Sequence, residues 1–268
     1  CCLAECYISL AFLGLYNQKQ AITAAMTAVE TALDINPSNS QALGLLGLIS
    51  GLKNKHSIAV VLFKQAHLLK PNSPDIYYYN ALFCFLKGDI GKALTLIDKS
   101  LNLAPNKMGI SVLKLFILYY KATLDETISF ALTLINQNNG SNPIVSAMIA
   151  LLMALKGHKD KAKSLLVKFD TNSNSDYISA NTLYTKYLLY GDSIKTDIMK
   201  FLTNVNVSSV NGIILPLILT AYGKKEFDKR WQQLIKDNDI WSHVLINDPR
   251  FASMKHQLKQ IEVAHSVD

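Results

Sequence analysis

Hydrophobic residues recur along this chain with the three- and four-residue spacing of amphipathic helices. Ala59, Phe63 and Ala66 follow one another at intervals of four and three residues, which places them on one helical face. The alternation of apolar and polar residues that marks a half-buried strand is missing, and no Asn-Gly turn joins two such segments. The sequence therefore predicts an all-α protein.

A proline follows the helical pattern at three regularly spaced points. Pro37, Pro71 and Pro105 lie in the segments LDINPSN, LLKPNS and LNLAPN, and 34 residues separate each proline from the next. Each proline is expected to end a helical segment, because proline cannot continue a helix. A period of 34 residues is typical of tetratricopeptide repeats, in which each repeat is a hairpin of two antiparallel helices.

Small and apolar residues occupy the interior positions of this repeat. In the repeat that begins at Ser40, Gly47 lies near the middle of the first helix, where a small residue permits close approach of the second helix. Ala59, Phe63 and Ala66 form the facing side of that second helix. We interpret these four residues, together with the three prolines, as the structural signature of the repeat.

The period divides the chain into successive predicted repeats. The first is lengthened, because its two helical patterns lie further apart than the period allows. Stacked hairpins bury their apolar faces against one another, so we expect a single right-handed, tetratricopeptide-type helical solenoid of about seven helical hairpins over residues 1–268. The predicted sections are a long first repeat (1–39), four regular repeats (40–73, 74–107, 108–142 and 143–173) and degenerate helical repeats with a cap (174–268).

The composition fits a packed, soluble fold. Half of the 268 residues are hydrophobic and 18% are charged, which excludes an intrinsically disordered chain. The formal net charge of +7 is spread along the sequence without the Lys/Arg tract of a nucleic-acid-binding arm. No apolar segment reaches the roughly 20 residues of a membrane helix. Four cysteines, at positions 1, 2, 6 and 84, are too few for a disulfide framework and indicate a reducing cytoplasmic setting.

Residue patterns that would indicate catalysis are missing from the sequence. The six histidines form no H-x-x-x-H pair and have no cysteine spacing suited to zinc. The sequence has neither a strand-associated phosphate loop nor a G-x-S-x-G nucleophile elbow. We therefore predict a protein that is not an enzyme, with no metal and no cofactor, and the sequence identifies no small-molecule substrate.

Aromatic residues on the predicted first helices are candidates for a partner-binding groove. The first helices of such repeats line the concave surface, where aromatic side chains can hold a peptide or a helix. The alternative is that these rings pack between successive repeats. The candidate groove residues are Tyr78, Phe85, Phe116, Tyr119 and Tyr120.

Tetratricopeptide proteins that bind chaperone tails hold a terminal carboxylate with lysine, asparagine and arginine side chains. The matching positions in this chain are Gly44, Leu48, Tyr79, Gly109 and Leu113. None of these side chains can form that carboxylate clamp, so a co-chaperone of this kind is not expected.

Four segments of the chain are more specific than the repeat itself: LAECYISLAFLG, PSNSQALGLLGLIS, LFKQAHLLKP and DNDIWSHVLINDPRF. With them the chain resembles, over residues 3–251, the C-terminal tetratricopeptide region of HilA-type, OmpR/ToxR-like winged-helix regulators, which are bacterial activators of secretion and invasion genes. This resemblance implies a winged-helix DNA-binding domain upstream of this chain and no phosphoacceptor domain. The chain would then be a module that self-associates or binds a regulatory protein, with DNA contacted only through the upstream domain.

Two other functions remain open at this stage. The repeat alone is equally typical of a free-standing cytosolic scaffold that binds a peptide or helix of a partner protein. The extracytoplasmic sensor half of a membrane-bound regulator is a further alternative, which the clustered cysteines disfavour.

Overall fold

The computed structural model describes residues 1–12, 15–137, 142–167, 175–205, 211–237 and 239–259. Over these ranges the regular elements are all helices, so the prediction of an all-α fold is confirmed. The last residues of the predicted repeats 108–142 and 143–173 include positions outside the described ranges. Among the described residues, no helix is both long enough and apolar enough to cross a bilayer.

Fifteen α-helices and two short 3-10 helices make up the described part of the chain. The 3-10 helices cover Gly191–Ile194 and Pro249–Met254. The α-helices are α1 Cys2–Phe12, α2 Gln18–Ile35, α3 Ser40–Leu52, α4 His56–Leu69, α5 Pro74–Leu86, α6 Ile90–Leu103, α7 Met108–Lys121, α8 Leu124–Gln137, α9 Pro143–Leu155, α10 Lys159–Leu166, α11 Asp176–Tyr190, α12 Lys195–Asn204, α13 Asn211–Tyr222, α14 Lys224–Lys236 and α15 Ser242–Leu245.

The chain divides into two compact units, Cys1–Ile117 (unit 1) and Leu118–Asp268 (unit 2). The boundary falls within α7. The expectation of one continuous domain over residues 1–268, with its assigned repeat limits, stays a prediction.

Unit 1 is built from consecutive helical hairpins. Helices α1 and α2, α3 and α4, and α5 and α6 pack against each other in pairs, and α3 also contacts α5 of the next hairpin. Helices α2, α4 and α6 each end two residues before one of the three evenly spaced prolines. The Asn39 side chain accepts hydrogen bonds from the backbone N–H groups of Gln41 (3.1 Å) and Ala42 (3.0 Å), which explains why α3 begins directly after it.

Glycines on α3 allow close contact with the helices on both sides. Gly47 faces α4, and a methyl group added there would lie 3.3 Å from Phe63 Cε1 and 3.4 Å from the Ala59 carbonyl oxygen. Gly44 faces α5, where an added methyl would lie 3.1 Å from a ring carbon of Tyr79. The Gly47 neighbours Ala59 and Phe63 are buried, and so is Ala66, one turn further along α4. Both contacts are tight, so a methyl group at either position would need its neighbour to move by a few tenths of an ångström.

Unit 2 contains further hairpins and a compact C-terminal section. Helix α9 packs against α8, α10 and α11, and α13 packs against α14. The Asn142 side chain accepts hydrogen bonds from the backbone N–H groups of Ile144 (3.0 Å) and Val145 (3.1 Å) and so caps α9. Residues 145–153 of α9 are buried without interruption, so this helix is the centre of the unit 2 core.

Replacing Gly51 by alanine is expected to lower the free energy of unfolding by about 1–3 kcal/mol, because the new methyl group would overlap the buried Phe83 ring. Gly91 is the matched control: an added methyl there meets nothing within 4 Å, and alanine favours a helix by up to about 1 kcal/mol. Chemical denaturation followed by circular dichroism measures both variants. Equal stabilities for the two variants would contradict the close packing of α3 on α5.

Candidate functional site

A groove in unit 1 lies between the first helices of successive hairpins. Its walls come from α1, α3, α5 and the start of α7, and its volume is about 150 Å³. Apolar side chains form most of the lining, which gives the unit 1 groove the character of a site for apolar side chains of a ligand. These residues are Ile8, Leu45, Leu48, Leu82 and Ile110.

One polar cluster lies at the α1 side of the unit 1 groove. The Tyr79 hydroxyl donates a hydrogen bond to Glu5 Oε1. Gln41 Nε2 donates to the same carboxylate oxygen at 3.3 Å and to the Tyr79 hydroxyl at 3.2 Å. These bonds join α1, α3 and α5, so they fix the relative positions of three groove walls.

Two tyrosines of the groove are held in their neutral form. Burial, assisted by the nearby Glu5 carboxylate, raises the pKa of Tyr78 to about 12. Burial and the hydrogen bond to Glu5 raise the pKa of Tyr79 far above its ordinary value. Both phenols are therefore protonated at physiological pH, and Tyr79 acts as a permanent donor to Glu5.

The rim of the unit 1 groove is open to solvent. Ser9, Lys107 and Gly109 line it and are exposed. The Lys107 ammonium pairs with Asp75 on α5. An apolar interior with an exposed, polar rim suits binding of a segment of another protein, and the groove lining lacks a nucleophile activated by a neighbouring base.

The five aromatic residues predicted to form a partner groove are distributed over different environments. Tyr78 is half-buried and lines the unit 1 groove. Phe85 and Phe116 are buried, and their rings pack against the Phe12 ring of α1 at centroid distances of 6.4 Å and 5.2 Å. Within unit 1 the structure thus brings Tyr78 to the groove and places the two phenylalanines in the core, as in the packing alternative. Partner binding by the set stays a prediction.

Tyr119 and Tyr120 belong to a second cluster, in unit 2. Their rings meet edge to face at a centroid distance of 5.0 Å. The Tyr119 hydroxyl donates a hydrogen bond to Asp248 Oδ1 at 3.2 Å, which links α7 to a residue 129 positions later. Burial raises the pKa of Tyr119 well above its ordinary value, so this hydroxyl remains a neutral donor.

A buried ion pair forms the centre of the unit 2 cluster. Arg250 Nε and Nη2 donate to the two carboxylate oxygens of Asp248 at 2.9 Å and 2.6 Å, and the side chains are 6% and 0% exposed. The guanidinium carbon lies 5.4 Å from the Tyr184 ring centroid and 5.9 Å from that of Tyr119. Arg250 Nη1 also donates to Asn181 Oδ1 at 3.5 Å. A pair surrounded in this way is closed to a ligand, and removal of either partner would leave the other charge buried and unpaired.

The sequence analysis does not predict this ion pair, although both residues lie in the segment DNDIWSHVLINDPRF. The sequence feature that could have indicated the pair is an aspartate two residues before an arginine, which is followed directly by Phe251, a buried residue. Among the described residues, no three His, Cys, Asp or Glu side chains lie close enough together to hold a metal ion. The unit 1 groove is therefore the better candidate for a functional site.

Comparison with known proteins shows which proteins this chain is similar to. No protein-family model matches the chain.

The chain is similar to the transcriptional regulator HilA. It shares 33% identity over 255 residues with HilA of Salmonella typhimurium and of Salmonella typhi, and 32% with HilA of Salmonella paratyphi A. In each case the match covers 95% of this chain and 46% of the relative. The chain thus spans about half the length of the curated relatives it matches. The resemblance to HilA regulators is confirmed at the level of sequence, and assignment to their C-terminal region stays a prediction.

A solved structure supports the type of fold. PilF of Pseudomonas aeruginosa superposes with a TM-score of 0.56 at 13% identity, covering 75% of this chain and 93% of PilF. This likeness concerns the fold alone. It confirms the predicted helical solenoid of tetratricopeptide type.

Replacing Arg250 by methionine is expected to lower the free energy of unfolding by about 3–5 kcal/mol, because Asp248 would remain charged and buried without its partner. The same replacement at Arg230 removes an exposed pair with Glu226 and should cost below about 1 kcal/mol. Chemical denaturation followed by tryptophan fluorescence measures the difference. Similar losses for the two variants would show that the Asp248–Arg250 pair does not stabilise unit 2.

Proposed function

We propose that this chain is the protein-interaction region of a bacterial transcriptional regulator, and that the unit 1 groove holds a segment of its partner. The observation that carries the proposal is an open apolar groove, lined by four successive first helices, in a chain that is 33% identical to HilA over 95% of its length. Stacked hairpins present such a surface because their first helices lie side by side.

The groove's chemistry favours a peptide or a short helix over a small molecule. Leu45, Leu48 and Ile110 line the groove from α3 and α7 and are themselves 0%, 1% and 1% exposed, so its volume of about 150 Å³ suits one anchoring apolar side chain of a partner segment. Glu5 adds one carboxylate, oriented by Tyr79 and Gln41, that can accept a hydrogen bond from the ligand. The partner segment is either part of a regulatory protein or part of a second copy of the regulator.

DNA binding is assigned to a part of the regulator outside this chain. The relatives are named transcriptional regulators, and the chain matches 46% of their length. Its basic residues are spread along the sequence without a tract that would contact phosphates. We further propose that the regulator acts in the cytoplasm and controls virulence or secretion genes, as the family resemblance of the sequence implies. The interaction region then sets the activity of the DNA-bound regulator.

Two glycines, each the second residue of its helix, allow a matched test of the groove. Gly109 is the second residue of α7 and lies at the groove rim, whereas Gly91 is the second residue of α6 and is not among the groove-lining residues. Both are exposed, and a methyl group added to either meets nothing within 4 Å. A phenylalanine at position 109 can therefore obstruct the groove without disturbing the core.

In the full-length protein, Gly109→Phe is expected to reduce activation of a promoter reporter at least about tenfold, because loss of a central apolar contact removes 1.4 kcal/mol or more of binding free energy. Gly91→Phe should activate as the unchanged protein does. Both variants should show the same thermal unfolding and the same promoter occupancy. Normal activation by Gly109→Phe would exclude the groove as the partner site.

A further inference from the structure

Helix α4 presents an apolar face to solvent. Ile58, Val61 and Leu68 are 50%, 53% and 82% exposed. Their spacing of three and seven residues places them on one side of the helix over three turns. The opposite side of α4 is occupied by Ala59, Phe63 and Ala66, which are buried in the hairpin. The exposed apolar residues are therefore additional to those that the fold requires.

The internal repeat shows that this face is particular to α4. Val61 and Leu68 occupy positions that neighbouring hairpins fill with polar residues. The equivalents of Val61 and Leu68, 34 residues earlier and later, are Thr27 and Asp34 in α2 and Thr95 and Asn102 in α6. By contrast, the exposed residues Ile35, Leu69 and Leu103 recur in all three helices and belong to the repeat itself.

The same face is basic. Residues 35–74 include no aspartate or glutamate, and Lys53, Lys55, Lys64 and Lys70 are all exposed. The contrast with the neighbouring hairpins again lies at equivalent positions. The equivalent of Lys55 is Asp89, which caps α6, and the equivalents of Lys64 are Asp98 in α6 and Glu30 in α2.

We propose that the exposed face of α4 binds an acidic amphipathic helix of a partner protein. The apolar stripe of Ile58, Val61 and Leu68 would receive the apolar side of that helix. Lys64 and the lysines at both ends of α4 would pair with its flanking carboxylates, which gives the surface its preference for an acidic ligand. Because α4 is a second helix of its hairpin, this surface is separate from the unit 1 groove and does not depend on the function proposed for it.

Charge complementarity disfavours a second copy of this chain as the occupant. A symmetric pairing of two α4 faces would bring the same lysines of both copies together, and like charges across an interface are destabilising. An acidic partner helix replaces this repulsion by attraction. Binding should accordingly weaken as the salt concentration rises.

Two designed helical peptides test the proposal on the full-length protein. One carries leucine at positions with α-helical spacing and glutamate at the flanking positions, and the other has lysine in place of each glutamate. Fluorescence anisotropy of labelled peptides measures their affinities. We expect the acidic peptide to bind and the basic peptide to bind at least about tenfold more weakly.

The repeat itself supplies variants that should fold. Val61→Thr/Leu68→Asn gives α4 the residues that α6 has at these positions and should weaken the acidic peptide at least about tenfold. Lys64→Asp, which copies Asp98, should also weaken it and reduce the salt dependence. Val167→Thr, a control at an 88% exposed apolar residue at the end of α10, should leave the affinity unchanged. Thermal unfolding confirms that each variant is folded.

Several outcomes would overturn the proposal. These are equal binding of the two peptides, no binding of either, or affinities that Val61→Thr/Leu68→Asn and Lys64→Asp leave unchanged. A dimer in sedimentation that Val61→Thr/Leu68→Asn dissociates would assign the face to a second copy instead. Binding to vesicles of anionic phospholipid that the same variant abolishes, without peptide binding, would assign it to a membrane surface.

Discussion

Close approach between neighbouring helices is the constraint on which unit 1 depends. Helix α3 contacts α4 through Gly47 and α5 through Gly44 and Gly51, and a methyl group at Gly51 would overlap the Phe83 ring, so that the ring or the helix would have to shift. Helix α5 in turn holds Tyr79, whose hydrogen bond to Glu5 reaches α1. The spacing of the groove walls is therefore set by residues that lie at the contacts between helices.

This arrangement separates two kinds of surface. First helices face one another and enclose the unit 1 groove, and second helices turn one side to solvent. Binding to the groove is proposed to use apolar residues that also form the core, such as Leu48. The face of α4 uses residues that the core does not need, such as Val61 and Leu68. Substitutions on the exposed face of α4 should therefore leave the fold intact. Substitutions in the unit 1 groove should do so only at its rim.

The repeat allowed a large part of the fold to be predicted from sequence, because proline and glycine act locally. Pro37, Pro71 and Pro105 lie two residues beyond the ends of α2, α4 and α6. Of the five residues predicted to form a partner groove, Tyr78 lines the unit 1 groove, and partner binding by the set stays a prediction. Burial of Phe85 and Phe116 depends on Phe12 in the lengthened first repeat, where the period gives no guidance. The link from Tyr119 to Asp248 spans 129 residues, and no local pattern indicates it.

The central claim is that this chain supplies protein interaction, while DNA binding lies elsewhere in the regulator. Its most direct test compares the full-length protein with a form that lacks this chain, by measuring promoter occupancy and transcription from the same promoters in its cells. The account predicts that the shortened form still occupies the promoters and no longer activates them. Normal activation by the shortened form, or binding of promoter DNA by this chain alone with the affinity of the full-length protein, would contradict it.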